Sequence, residues 1–86
     1  MAIVFRPPAS RHGISHQRSR YLIEHCGLPF DDVGGERVAL YLGDDWNPMP
    51  LEVGAVVSED DLVVIHTMKL RDKFRELYEE ALPWRK

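Results

Sequence analysis

Three consecutive segments of this chain have the residue pattern of β-strands, and short polar turns join them. Apolar and polar side chains alternate over residues 37–42 and 51–57, whereas residues 62–68 are apolar on both faces and rich in β-branched side chains. In the second segment the pattern places Leu51, Val53, Ala55 and Val57 on the core side. Strands joined by short polar turns favour an antiparallel meander.

A helix is predicted on each side of this meander. Ser15 is a good N-cap, and the run from residue 16 to 26 ends at Gly27, which is a common helix stop. After the third strand the apolar spacing becomes helical from Leu70 to Ala81, and Pro83 ends the second helix.

The predicted fold is therefore α+β. A small antiparallel sheet of three to four strands carries the N-terminal and C-terminal helices on one face, and residues 1–5 supply the optional fourth strand at an edge. The length of 86 residues corresponds to a single domain, residues 1–86, with a modest core.

Composition narrows the class of protein. With 44% hydrophobic and 29% charged residues, no long apolar run and no secretory signal, the chain is expected to be cytoplasmic and without a membrane partner. Cys26 is the only cysteine, so an intrachain disulfide is excluded. The net charge of −3 is unevenly distributed, because acidic residues dominate positions 31–61 while basic residues cluster in 11–20 and 69–75.

The segment from Val63 to Arg75 carries the main functional signal. A buried-type strand leads into the predicted helix, and the cations Lys69, Arg71 and Lys73 fall where the helix dipole already favours an anion. This arrangement suits a phosphate group. The alternative is a solvated cationic edge without a ligand.

Cleavage of RNA without metal needs a base, an acid and cations around the phosphate. We take His66 as the base or acid because histidine titrates near neutral pH, and His12 or His16 as its counterpart. The candidate catalytic residues are thus His66, Lys69, Arg71, Lys73 and His12. The candidate RNA-binding residues are Arg11, His16, Arg18, Arg20 and Arg75.

These assignments have structural alternatives. His66 could be a hydrogen-bonded strand histidine, and His12 could order the start of the helix. His12 and His16 have the spacing of helical zinc ligands, but His12 precedes the helix and no third ligand is near, so neither a metal site nor a cofactor is predicted. Trp46 and Met49 either fold back onto the core or mark a protein interface.

Two short motifs suggest a family. The run Arg11-His12-Gly13-Ile14-Ser15 before a helix, and the run from Ile65 to Phe74, resemble the BrnT-like branch of the RelE/ParE superfamily of bacterial toxin–antitoxin systems. The resemblance extends from Arg11 to about Leu82. It implies a metal-independent endoribonuclease that inhibits translation and is neutralised by an antitoxin.

The expected partners follow from this hypothesis. They are an antitoxin protein and RNA, either free mRNA or mRNA on the ribosome, with a homodimer as an alternative assembly. A non-enzymatic interaction or regulatory module on the same fold is the competing interpretation. An open basic junction favours the enzyme, whereas a junction covered by carboxylates favours the module.

Overall fold

The computed structural model describes residues 2–7, 12–26, 29–31, 38–81 and 83. The elements within them are β1 (Ile3–Phe5), α1 (His16–His25), β2 (Phe30–Asp31), β3 (Val38–Asp44), β4 (Pro50–Ser58), β5 (Asp61–Lys69), a 3-10 turn (Asp72–Phe74) and α2 (Arg75–Ala81). The α+β class is therefore confirmed. Neither described helix is long and apolar enough to cross a membrane.

The strands form one sheet in the order β1-β5-β4-β3-β2. Strands β3, β4 and β5 make the predicted antiparallel meander, and β2 pairs antiparallel with β3. The prediction of a wholly antiparallel sheet of three to four strands is wrong, because five described strands form the sheet and β1 runs parallel to β5 with Ile3 opposite Leu62. Local alternation cannot give this direction, since it depends on a pairing with a strand nearly sixty residues away.

The two helices pack on opposite faces of the sheet, not on one face as predicted. Leu22 of α1 and Cys26 just after it lie against the side of β3 that Gly43 exposes, whereas Tyr78 of α2 packs with Leu42 on the other side. Successive strand residues point to opposite faces, and β3 is apolar on both. The centre of the sheet is therefore covered by a helix on each face.

The predicted start of α1 is confirmed, whereas the predicted start of the second helix is wrong. Ser15 caps α1 as predicted, because its Oγ accepts the N–H of Arg18 at 3.2 Å. The second helix begins at Arg75 and not at Leu70, so Lys69 ends β5 and Arg71 lies in the connection. The reason is a pairing with β4: the Leu70 N–H donates to the Pro50 carbonyl at 3.2 Å and so extends the strand pairing.

Candidate functional site

A bulge in β5 decides which side chains face α2. Gly54 lies opposite His66 while Ala55 lies opposite Val64, so Ile65 is an extra residue on β5. A shift of one residue reverses the direction of every side chain beyond it. It turns His66 toward the α2 face and Thr67 toward α1, where Thr67 Oγ1 accepts a 2.8 Å hydrogen bond from Ser19.

Glu52 lies on the same face as His66 and is completely buried. Arg71 donates to both of its oxygens, from Nε to Oε1 and from Nη2 to Oε2, each at 2.8 Å. The Arg71 backbone N–H adds a third bond to Oε1 at 3.0 Å. The carboxylate thus fixes Arg71 at the point where the chain leaves the sheet. Its hydrogen bond to the guanidinium raises the pKa of Arg71 above the ordinary value, so Arg71 stays charged.

His66 stands next to this pair. Its Nε2 is 3.7 Å from Glu52 Oε2, which is beyond hydrogen-bond distance, and among the described residues this buried nitrogen has no hydrogen-bond partner. Burial of the ring lowers the pKa of His66 below its ordinary value of 6.5; Arg71 and His12 act in the same direction, and Glu52 opposes them. The imidazole is therefore neutral at pH 7. Buried polar atoms without a partner are uncommon and recur at functional sites.

Gly54 provides the space for the imidazole. A Cβ at position 54 would collide with His66 Cε1 and stand 2.6 Å from Nδ1. The glycine that the sequence places inside β4 therefore marks a close approach between a backbone and a ring.

We expect Gly54→Ala to lower the free energy of unfolding by about 1–3 kcal/mol, since the ring must leave its position to admit the methyl group. Urea unfolding of the variant should be compared in the wild-type and His66→Ala backgrounds. Removal of the ring should abolish the penalty, because alanine is otherwise favoured over glycine inside a strand. An equal penalty in both backgrounds would contradict the close approach seen here.

The segment before α1 brings a second histidine toward the site. Gly13 adopts a left-handed backbone conformation with φ +75°, which glycine tolerates without strain, and Ile14 is buried in the apolar cluster beneath α1. These two residues and the Ser15 cap fix the turn that carries His12. His12 is exposed, and its charge acts on His66.

The predicted cations around the connection are exposed to different degrees. Lys69 is exposed at the end of β5, and the Arg71 side chain is 41% exposed. Lys73 Nζ lies 5.0 Å from the centroid of the Phe74 ring, which Arg71 also overlies at 5.2 Å. Arg75 is exposed at the start of α2, 5.7 Å above the Tyr78 ring. Lys73 and Arg71 therefore share one aromatic support beside Glu52.

The candidates on α1 do not all join this group. Arg18 contacts the opposite side, where its Nε donates to Asp45 at 2.7 Å and its Nη2 to Met49 Sδ at 3.0 Å. His16 stacks on Phe5 with centroids 4.1 Å apart, and Arg20 lies 5.8 Å from the same ring. Phe5 is on the edge strand β1 and points to the α1 face, as its partner Val64 does, so His16 and Arg20 lie on the side of the sheet opposite His66. Arg11 lies outside the described residues.

Sequence analysis missed Glu52, the residue that organises the site. Alternation placed Leu51 and Val53 inward, and both are buried, but the outward side of β4 is covered by the second layer. Val57, also predicted inward, is 61% exposed because it lies beyond the helices at the end of the strand. A strand covered on both faces has no solvent side, and only knowledge of the two layers could have identified Glu52 as buried.

A concave region lies between α1 and the β3–β4 turn, away from His66 and Arg71. It has a volume of about 290 Å³, and Tyr21 and Trp46 meet edge to face within it at 5.7 Å. Asp45 is held there by Arg18 and by the N–H groups of Asn47 and Met49, and these hydrogen bonds lower its pKa despite burial. Met49 packs on the core, whereas Trp46 is exposed, and an interface at Trp46 stays a prediction.

The residue types do not form a metal centre in the part of the chain that the structure describes. No three histidine, cysteine, aspartate or glutamate side chains among those residues are placed to share an ion. Comparison with family models, with curated proteins and with solved structures finds no match for this chain. The interpretation of the site therefore depends on its geometry.

Proposed function

We propose that this protein is the toxin component of a type II toxin–antitoxin system, an endoribonuclease that needs no metal and inhibits translation. The observation that carries the proposal is the placement beside Arg71 of His66, whose Nε2 has no hydrogen-bond partner among the described residues, with buried Glu52 holding Arg71 in position. The α+β fold with two helices is compatible with a BrnT-like member of the RelE/ParE superfamily, which we propose as its class.

In this proposal His66 is the general base. Its lowered pKa keeps the imidazole unprotonated at pH 7, as removal of the proton from a ribose 2′-hydroxyl requires. The 2′-oxygen then attacks the adjacent phosphorus, and the bond to the 5′-oxygen breaks. His12 protonates the departing 5′-oxygen from its exposed position. The products are a 2′,3′-cyclic phosphate and a free 5′-hydroxyl.

Arg71 is the proposed ligand of the phosphate. Glu52 engages only Nε and Nη2 of the guanidinium, so its remaining N–H groups can donate to phosphate oxygens as charge builds in the transition state. The 41% exposure of the side chain gives a substrate access to it. Lys73, on the same aromatic support, adds positive charge around the phosphate, whereas Lys69 pairs with Leu51 and lies on the α1 face of the sheet, away from His66.

The remaining RNA contacts are assigned to the borders of the site. Arg75 extends the positive surface along α2, and His16 and Arg20 would contact RNA that passes round the β1 edge onto the α1 face. Arg18 is assigned to structure, because Asp45 and Met49 already engage it. An antitoxin that covers His66 and Arg71 would block the reaction, and both proteins would act in the cytoplasm.

Growth of a bacterial culture tests the proposal. Induced expression of the wild-type chain without a partner should stop growth, and His66→Ala should restore it at the same level of soluble protein. His25→Ala is the matched control, because His25 is an exposed histidine on α1 that stacks on Tyr21. It should be as toxic as the wild type. Normal growth at high levels of folded wild-type protein would refute the toxin assignment.

One observation favours the non-enzymatic module as a second candidate. Glu52 already neutralises Arg71 through a bidentate pair, so the junction is less positive than its sequence suggests. A site of this kind can serve to hold α2 on the sheet for recognition of a partner. In that case purified chain would leave RNA intact, and growth would be unaffected by expression.

A further inference from the structure

The two ring nitrogens of His66 have different surroundings. Nε2 lies 3.7 Å from Glu52 Oε2, and it is the only side-chain nitrogen or oxygen among the described residues that is buried and lacks a hydrogen-bond partner. Nδ1 receives no hydrogen bond from those residues either, so it retains contact with solvent, and 26% of the side chain is exposed. One nitrogen therefore faces a buried carboxylate, and the other is accessible.

Glu52 favours one position for the ring proton. A neutral imidazole carries an N–H on one nitrogen and a lone pair on the other. A lone pair on Nε2 would face the negative charge of Glu52, whereas an N–H there directs its positive end at the carboxylate. The attraction is strong for its length, because Glu52 is completely buried and water does not screen it. The proton therefore belongs on Nε2.

The carboxylate can act on His66 while it holds Arg71. Arg71 donates to Oε2 only through Nη2, at 2.8 Å, and a carboxylate oxygen has two lone pairs. Oε1 accepts both the Arg71 backbone N–H and Nε. The two oxygens thus have separate tasks, since Oε1 fixes the chain at Arg71 and Oε2 lies between the guanidinium and the imidazole.

Gly54 leaves room beside the other nitrogen. A Cβ at position 54 would stand 2.6 Å from Nδ1, which is closer than a methyl group can approach without displacing the ring. With glycine at this position, Nδ1 keeps space for a group that donates a proton to it.

We infer that Glu52 is a positioning residue for His66, which holds the ring proton on Nε2 and leaves Nδ1 as the basic atom of the site. The catalytic consequence rests on the proposed ribonuclease function. There, the O–H bond of the ribose 2′-hydroxyl breaks as its proton moves to Nδ1, and the Nε2–H of the resulting imidazolium still faces Glu52. One buried carboxylate would then orient both the base and the phosphate ligand Arg71.

Nitrogen-15 NMR of the labelled full chain reads the position of the proton. In a long-range correlation spectrum the ring Hδ2 couples strongly to Nε2 alone, and the chemical shift of each nitrogen shows whether it is protonated. At about pH 8 histidines are neutral. We expect His66 to be protonated on Nε2, and to populate the Nδ1-protonated form less than exposed His25 does. The spectrum of His66→Ala identifies the signals of His66.

Glu52→Gln should move the proton. The amide oxygen should take the place of Oε1, because two Arg71 donors converge there at 3.0 and 2.8 Å. The amide NH2 group then replaces Oε2 and donates toward Nε2, which favours a lone pair on that nitrogen. We expect the Nδ1-protonated form to increase about fivefold or more, the effect of one hydrogen bond. Glu24→Gln is the matched control at an exposed glutamate of α1 and should change nothing.

The position of the proton separates orientation of the ring from general stabilisation of the fold, which would not move it. A wild-type His66 protonated on Nδ1, a tautomer ratio equal to that of His25, or an unchanged ratio in folded Glu52→Gln would each overturn the inference. The wild-type spectrum needs no variant, so the test holds if Glu52→Gln is poorly folded. A wild-type chain that shows the expected tautomers but leaves RNA intact would refute the ribonuclease proposal and support the role of Glu52.

Discussion

Replacing Arg71 with alanine should lower the free energy of unfolding by about 3 kcal/mol. The substitution leaves the Glu52 carboxylate, which has no exposed surface, without its two side-chain donors, and an uncompensated buried charge typically costs about 3–5 kcal/mol. We expect the lower end of that range, because the Arg71 side chain is partly exposed and its removal opens a path for water. The midpoint of urea unfolding at pH 7 should fall by about 1–3 M.

Arg75→Ala is the matched control for this prediction. Arg75 is a cation at the start of α2, and its guanidinium lies 5.7 Å over the Tyr78 ring, but it is exposed. Its loss should cost less than about 1 kcal/mol. A similar effect of the two substitutions would mean that Glu52 does not depend on Arg71.

Replacing Glu52 should lower the free energy of unfolding by less than replacing Arg71. Glu52→Gln keeps the shape of the side chain, and the partly exposed Arg71 can turn its unpaired donors to water. The double variant with Glu52→Leu and Arg71→Met should lose less free energy of unfolding than Glu52→Leu alone or Arg71→Met alone. An apolar pair leaves no unpaired charge in the interior. The asymmetry between the two partners distinguishes a buried carboxylate with a surface arginine from an ordinary surface salt bridge.

The parts of the fold that the sequence predicts are those set by local interactions. Ser15 caps α1 through the N–H of Arg18, three residues away, and the alternation over residues 37–42 and 51–57 places β3 and β4 within two residues of their observed ends. Short turns fix the antiparallel meander in the same way. Each of these signals needs no more than a few neighbouring residues.

The parts that the sequence did not predict depend on distant pairings. The direction of β1 is decided by its contact with β5, and the side of the sheet taken by α2 is decided by how both faces of β3 are covered. The bulge at Ile65 reverses the expected orientation of the residues that follow it, which brings His66 to the face of Glu52. Gly54 was the one sequence feature that could have indicated the bulge, because glycine inside a strand often marks a bulge or a close approach.

Of the cations predicted for the site, Arg71 lies beside His66 and Glu52, whereas Lys69 lies on the other face of the sheet. His66 and Arg71 do lie on one face, yet a buried glutamate joins them, and a helix dipole contributes little. The cations Lys69 and Arg71 precede the helix, and α2 has only seven residues. The charge that an approaching phosphate would meet therefore comes from the side chains.

The remaining prediction concerns the reaction itself. If His66 is the general base, His66→Ala should reduce the rate of RNA cleavage by the purified chain by about 10²–10⁴-fold, the usual contribution of such a group. Initial rates should be measured with a labelled oligoribonucleotide in the presence of a metal chelator. A single 2′-deoxy substitution at the cleavage position should abolish the reaction with wild-type protein, because it removes the attacking oxygen.

The pH dependence gives a signature that loss of folding would not imitate. Burial lowers the pKa of His66 below 6.5, so the wild-type rate should rise with pH through a value below 6.5 as the imidazole loses its proton. His66→Ala should lack this acidic limb. His25→Ala, which changes a histidine on the α1 face, should retain both the rate and the limb.

Stability changes over the same pH range and must be measured beside the rate. Since the unfolded chain binds a proton at His66 more readily than the folded chain, acidification below pH 6.5 favours unfolding, and His66→Ala should reduce this loss. Rates are therefore compared only where circular dichroism shows both proteins folded. If the acidic limb persists in folded His66→Ala, or if its rate stays within about threefold of wild type, another group is the base and the mechanism centred on His66 is refuted.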